Sequence, residues 1–408
     1  MRILLIHNYY GSSAPSGENK VFEAEKTMLE KHGHEVEVYT RHSDEIRGTG
    51  NGERGTARKL WGMVKGALCT IGNPFAARAV TKKCKEFKPD VVHFHNTFPL
   101  ISPLAVRAAS KYAPVVMTLH NYRTACAAGV PTRDGKTCSL CIDKKCAWDG
   151  IKNRCYRGSF LATVPLSINI ALYRRWLPRW VRRFLVFSGF QRNKMREYGF
   201  PNDAMALKPN SISPVHSCHK NIVKENQIVY VGRLSPEKGV HTLISAWRIL
   251  GDSIGCRLVL IGDGDYRADY ELLARDLCFE FMGKQANDTV RSEIAKSKAM
   301  VLPSECWEGM PMTILESFAE GTPCVVSDLG ALPEYVRSGE LGEVFKAGNA
   351  EACAAAIKRI LSRPDYDEMC AAARHEAETK YSDEANYNRL MEIYREVVGS
   401  LKRGEVDG

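Results

Sequence analysis

No apolar stretch of this 408-residue chain approaches the roughly 20 consecutive residues that crossing a bilayer requires, because charges interrupt each one within about 12 residues. The opening Met1–Ile6 runs at once into His7 and Asn8, too short for a signal-peptide core, and reads as a buried strand. Low hydrophobicity is missing too: 44% hydrophobic and 25% charged residues exclude a disordered chain. No short sequence repeat is apparent, which argues against a solenoid. With no export signal, most of the 14 cysteines, among them Cys69, Cys84, Cys256, Cys324 and Cys353, read as reduced core thiols, and the expected location is cytoplasmic.

What is present is length for two domains and a surplus of cations. A net charge of +10 points to an anionic partner without choosing among nucleic acid, phosphorylated metabolites and a membrane surface. Strand and helix patterns alternate along the chain. Strands are expected at Ile3–His7, Glu35–Tyr39, Val91–His95, Val115–His120 and Phe184–Ser188, with helices at Glu18–Lys31 and Gly189–Tyr198. A segment rich in Pro and Ser, residues 207–214, is the expected hinge. The rhythm then restarts, with strands at Ile228–Val231, Arg257–Ile261, Ala299–Leu302 and Pro323–Ser327 and helices at Val240–Leu250, Arg267–Leu277 and Pro311–Glu320. The fold class is therefore α/β, two Rossmann-like doubly wound domains facing each other across a cleft. Their expected bounds are 1–208 and 209–383, with a helix at 384–408 packing back on the first domain and a Cys-rich insertion at 126–155. Residues 10–17 and 48–55 read as loops.

Chemistry concentrates after two strands of the second half. Gly232, Arg233, Lys238 and Gly239 leave the strand "IVYV" in a tight loop, so two cations can converge where a diphosphate would sit, although a solvated charged loop explains them equally simply. Downstream, Glu308 and Glu316 lie eight residues apart around Gly309, Met310 and Pro311. Proline is favoured in the first helical turn, so the free N–H groups within residues 309–313, all but that of Pro311, can point out of a helix start towards phosphate. The plainer alternative is acidic residues offsetting a helix dipole.

The E-x7-E pair, with "GRLSPEKG" before it, "AEGTPCVVSDLGALPEYV" after it and "PSGENKVFEAEKTMLEKHGHEVEVYT" near the N-terminus, resembles the family 4 retaining glycosyltransferases of the GT-B fold, over most of the chain. The resemblance implies that Arg233 and Lys238 hold a nucleotide diphosphate, that Glu316 binds the donor ribose and that Glu308 sits at the donor sugar. It implies further donor contacts from Gly232 and from the backbone of Gly309, Met310, Pro311, Met312 and Thr313. Gly17 would let the backbone approach the diphosphate, although the family often has two glycines where this chain has Ser16 and Gly17. His120 matches a histidine facing the donor sugar, but Asn121 stands where many relatives have Asp, so no general base is assigned there. The implied reaction is transfer of a hexose-type unit from a nucleotide sugar to a glycan or lipid-linked acceptor, with retention and without a catalytic metal, in surface-polysaccharide or cell-envelope assembly. A nucleotide-sugar epimerase of the same fold and a non-catalytic nucleotide-sugar-binding protein are the rival readings.

Two features stand apart. Cys126, Cys138, Cys141 and Cys155, with Cys146 as a fifth, occupy a polar insertion that reads as unligated thiols, a structural zinc site, or an iron–sulfur or redox centre. The segment "ALYRRWLPRWVRRF", residues 171–184, interleaves five arginines with Trp176, Trp180 and Phe184. It reads as ordinary solvated arginine over aromatic packing or as contact with an anionic membrane; nucleic acid is not the expected partner, because no recognition motif accompanies the charge.

Overall fold

The computed structural model describes residues 1–11, 17–46, 53–213, 222–251 and 254–404. They form two compact units: one of Met1–Val130, Ser139–Lys208 and the chain from Tyr387 on, the other of Pro131–Cys138 and Pro209–Asn386.

In the first unit β1 (Arg2–Tyr9), β2 (Glu35–His42), β3 (Val91–Asn96) and β4 (Val115–Thr118) are followed by a small hairpin, β5 (Thr132–Arg133) and β6 (Lys136–Thr137), whose residues group with the second unit. β7 (Arg183–Val186) and β8 (Met205–Leu207) complete a sheet ordered β2-β1-β3-β4-β7-β8, parallel throughout. Strands covered on both faces read as apolar runs, and β1 shows it with Ile3 to Ile6 wholly buried; β3 is as deeply buried at Val91, Val92 and Phe94 but carries His93 and His95 among them. One face packs on Phe22 and Leu29 of the helix Gly17–Lys31 and on Leu390, Met391, Ile393, Tyr394 and Val397 of the last helix, Asp383–Gly404. Each such aliphatic side chain contributes about 2 kcal/mol when fully buried.

The second sheet contains β9 (Gln227–Val231), β10 (Arg257–Ile261), β11 (Phe279–Gly283), β12 (Ala299–Leu302), β13 (Cys324–Ser327) and β14 (Gly342–Phe345), ordered β11-β10-β9-β12-β13-β14 and again all parallel. Ile228, Tyr230, Leu258, Leu260, Ala299 and Val301 pack against the helices Val240–Leu250 and Ala350–Leu361. In each sheet the chain moves outward from its first strand in one direction and later returns to that strand's other side. The resulting switch points, between β1 and β3 and between β9 and β12, are where loops diverge and leave a crevice at the carboxyl ends of the strands.

Several sequence expectations change. The helix expected at Arg267–Leu277 stops at Leu273, and the following "FEFMG" is β11, a strand the sequence pattern did not indicate. Residues 48–52 and 12–16 of the expected loops lie outside the described residues, while Glu53 to Gly55 open the helix Glu53–Ile71. Pro311 is not the first helical residue: with φ −63° and ψ 123° it is the extended N-cap of the helix Met312–Ala319. Its ring fixes φ alone, and the ψ turns the chain into the helix one residue later.

Candidate functional site

In the second unit the loops after β9 and β12 meet at the switch point. The first runs through Gly232 and Arg233 into a short 3-10 turn, Pro236–Lys238, and is closed by Gly239. Gly239 has φ +66°, and a Cβ there would lie 1.9 Å from the Pro303 carbonyl oxygen, so the backbone of this loop rests directly on the loop after β12. Gly232 is held comparably close, since a Cβ would meet the Tyr230 hydroxyl at 2.6 Å. That hydroxyl donates to the Arg233 carbonyl at 2.8 Å, leaving the guanidinium exposed.

Lys238 points across to the neighbouring loop, its Nζ donating to Glu308 Oε1 at 2.6 Å, and the Ser304 hydroxyl donates to the same oxygen at 2.6 Å. Burial by itself would lower the Lys238 ammonium, but the Glu308 carboxylate more than offsets it. Burial would likewise raise Glu308, and Lys238 and Ser304 instead hold it below the ordinary carboxylate range. The two shifts agree on an ion pair, with side chains only 20% and 12% exposed. Thus the structure joins Lys238 to Glu308, a direct contact that the sequence reading did not foresee.

Beyond Glu308 the Gly309 carbonyl accepts from the Tyr335 hydroxyl at 2.8 Å, and Met310 Sδ receives the Asn210 N–H at 3.1 Å. These bonds pin the turn that enters the helix Met312–Ala319, whose N-cap Pro311 offers no side-chain cap. Its first N–H groups, including those of Met312 and Thr313, are therefore available to an anion. Glu316 lies inside the helix, buried, with Oε1 accepting from Asn287 Nδ2 at 2.9 Å. Ser304 and Asn287, which fix the two glutamates, were missed in the sequence because neither belongs to a local pattern.

The switch point of the first unit holds a different set. His120 lies two residues beyond the end of β4, not within it, because the strand breaks after Thr118. Its Nε2 is 3.0 Å from His95 Nδ1, and His95 Nε2 is 3.1 Å from Glu25 Oε1. Glu25 Oε1 also lies 2.9 Å from His93 Nδ1, and its Oε2 accepts from Lys208 Nζ at 2.8 Å. His93 adds contacts to the Tyr394 hydroxyl at 2.7 Å and to Thr118 Oγ1 at 2.8 Å. A cavity of about 70 Å³ opens beside these groups, lined in part by His95, His120, Asn121, Arg123 and Glu18. Asn121 Nδ2 donates to Glu18 at 2.6 Å, so the residue after His120 serves here as a bridge to the helix Gly17–Lys31. Gly17 opens that helix, exposed, and no protein atom lies within 4 Å of where its Cβ would be, so internal packing does not require glycine there.

Glu25, His93 and Lys208 were absent from the expected site. Their only signal in the sequence is "HFHN", two histidines on one face of a buried strand, which alternation alone cannot tell from core packing. Among the described residues, Glu25, His93 and His95 form the one group of three or more His, Cys, Asp or Glu with ligand atoms within reach of a common ion, all within 4.8 Å. A divalent ion there would sit beside the Lys208 ammonium, which already neutralises the same carboxylate.

The cysteine tetrad is a correction: Cys126, Cys138, Cys141 and Cys155 are all described, yet no three of them come within ligating distance of one another. Cys138 follows the β5–β6 hairpin and groups with the second unit, whereas Cys126, Cys141 and Cys155 belong to the first. The arginine-rich segment spans the end of the helix Phe160–Tyr173, the turn Leu177–Trp180 and the start of β7. Arg174 bonds the Lys145 carbonyl, Arg183 pairs with Glu396 and Arg179 lies over the Trp176 ring at 4.9 Å, so part of its charge is used internally. Trp176 remains 48% exposed.

Comparison with known proteins agrees with this architecture. Residues 17–215 match the family described as Glycosyltransferase Family 4, and residues 216–379 match Glycosyl transferases group 1. The chain is 24% identical over 309 residues to the sulfoquinovosyl transferase SQD2 of Arabidopsis thaliana, covering 74% of this chain and 56% of that protein. It is 29% identical over 178 residues to the amylovoran biosynthesis glycosyltransferase AmsK of Erwinia amylovora, covering 41% of this chain and 44% of that protein. The matches thus span about half the length of these curated relatives. In fold it is similar to Anabaena Alr3699/HepE, solved in complex with UDP and glucose, with TM-score 0.62 and 16% identity over 96% of this chain and 99% of that one. Two parallel Rossmann-like sheets, with the two family matches in succession over nearly the whole chain, place this protein among the family 4 glycosyltransferases of the GT-B fold.

Proposed function

We propose that the chain transfers a hexose-type sugar from a nucleotide-sugar donor to a glycan or lipid-linked acceptor, with retention of anomeric configuration and without a catalytic metal. The carrying observation is the meeting of Arg233 and Lys238 with Glu308 and an uncapped helix start at the β9–β12 switch point. A nucleoside diphosphate leaves readily once its growing negative charge is neutralised, and these cations and N–H groups supply that neutralisation from fixed positions. Lys238 enters the reaction already ionised and aimed by Glu308, so little reorganisation is needed when the phosphate arrives. In this reading Gly232 and the backbone of residues 309–313 line the diphosphate and sugar, Glu316 takes the ribose hydroxyls, and Gly17 and His120 have the donor contacts that the family resemblance implies. The UDP in the Alr3699/HepE complex and the naming of AmsK as an amylovoran biosynthesis glycosyltransferase support a nucleotide-sugar donor and a biosynthetic sugar transfer.

The reading extends to a cytoplasmic enzyme resting on an anionic membrane through the Trp176 region. No helix among the described residues is long and apolar enough to cross a membrane. The test is a transfer assay with UDP-, GDP- and ADP-sugars, following both donor and product. Glycoside product, abolished by Glu316→Ala, is the expected result. An isomerised donor would identify an epimerase, and binding without turnover a sensor; either would refute the proposal.

A further inference from the structure

The buried network under His120 has no part in the reading above, and its hydrogen bonds carry direction. Glu25 is almost fully enclosed, and its partner Lys208 is equally buried, with both side chains 3% exposed. Burial alone would raise the Glu25 carboxyl, but Lys208, then His93 and His95, hold it well below the usual carboxylate range. An ionised carboxylate only accepts hydrogen bonds, so His95 Nε2, 3.1 Å away, carries a proton. Burial and then His93 keep the His95 ring neutral down to about 4, so its single proton is on Nε2 and its Nδ1 is bare. That bare nitrogen faces His120 Nε2 at 3.0 Å, and a contact of this length between two ring nitrogens requires one proton between them. The proton therefore belongs to His120. Burial, then His95 and His7, press the His120 ring well below its ordinary value, so it holds no second proton.

We propose that Lys208, Glu25 and His95 are positioning residues that lock His120 as the tautomer protonated on Nε2, leaving Nδ1 to accept a hydrogen bond from a substrate hydroxyl. His120 is half-buried and lines the cavity of the first unit, where a sugar hydroxyl is the donor that this nitrogen suits. The ligand half of the proposal rests on the placement of His120 at the donor sugar; the tautomer half does not. The order of the chain matters: an ion pair fixes the carboxylate, the carboxylate orients one imidazole, and that imidazole orients the next.

Long-range proton–nitrogen correlation spectra of the full chain labelled with ¹⁵N-histidine read the tautomer directly. The 11 histidines are resolved with His120→Asn as the assignment control. The expected spectrum has His120 neutral and protonated on Nε2 at pH 7 and still neutral at pH 5.5. Protonation on Nδ1, or a cationic ring at pH 7, overturns the proposal whether or not the chain transfers sugar. His95→Phe should leave His120 in a mixture of tautomers and lower kcat about tenfold, with a smaller change in donor KM; an unchanged tautomer would overturn the relay. If that variant does not fold, the wild-type spectrum alone decides. A correct tautomer in a chain that turns over no donor would instead refute the functional reading and leave the relay standing.

Discussion

At the β1–β3 switch point two imidazoles contact one enclosed carboxylate, and a third, His120, bonds to one of them; at the β9–β12 switch point a lysine and a glutamate form a pair that still touches solvent. Both sheets are parallel throughout, and although one strand lies outside β1 and two lie outside β9, each has a switch point beside its first strand where topology brings loops together. It does not decide what those loops carry. In the first unit a single ion pair, Lys208–Glu25, offsets the burial of a polar cluster in which the His95 and His120 rings are held neutral by burial. In the second, charge is kept near the surface, where Arg233 remains exposed and Lys238 can exchange one anion for another. The first arrangement suits orienting a neutral ligand group, and the second suits holding phosphate.

The comparison breaks most clearly under mutation. Glu25→Ala leaves the Lys208 ammonium buried without its carboxylate, and unfolding of the first unit should be easier by about 4 kcal/mol, measured by urea denaturation with hydrogen exchange assigning the loss to that unit. A loss within about 1 kcal/mol would mean that water reaches the cluster. Lys238→Ala should reverse the balance. Its pair is less enclosed, with side chains 20% and 12% exposed, so the loss of stability should be smaller, about 2 kcal/mol, while donor turnover falls about 100-fold through lost stabilisation of the leaving diphosphate.

Acid should separate the units more gently. His7 and His95 are each lowered to about 4, chiefly by burial, so below the ordinary histidine value of 6.5 the unfolded chain takes up protons that the folded chain refuses. Stability of the first unit then falls as pH drops from 6.5 towards 4, by up to about 1 kcal/mol per pH unit for each ring. Glu308 is lowered from 4.5 and Lys238 raised from 10.5, so their pair stays ionised throughout that window down to 4.5. Denaturation midpoints at pH 7, 6 and 5 should therefore decline for the first unit and hold for the second.

Much of this was legible in the sequence for a physical reason. Parallel strands buried on both faces must be apolar runs, which is why the helix Val240–Leu250 and strands such as Arg257–Ile261 and Ala299–Leu302 have the bounds their patterns suggest. β11 escaped because Glu280 interrupts a run whose neighbours are only partly buried. The candidate residues of the second unit were legible as a group because Arg233 and Lys238 share one short loop and Glu308 and Glu316 stand eight residues apart around one helix start. The first-unit relay was not, because its members stand at positions 25, 93, 95, 120 and 208 and only folding makes them neighbours. The cysteine spacing did not carry over into a ligand set: among the described residues no three of Cys126, Cys138, Cys141 and Cys155 lie within reach of a common ion.

The β9–β12 switch point is the proposed seat of a nucleoside diphosphate. Thermal unfolding of the intact chain against a panel of UDP-, GDP- and ADP-sugars tests it directly, because a ligand that binds only the folded state raises its stability by about 2.7 kcal/mol at one hundred times its Kd. The expected result is a concentration-dependent rise in Tm with one donor, lost in Lys238→Ala. A flat Tm across every donor, or a rise that survives that substitution unchanged, would contradict it.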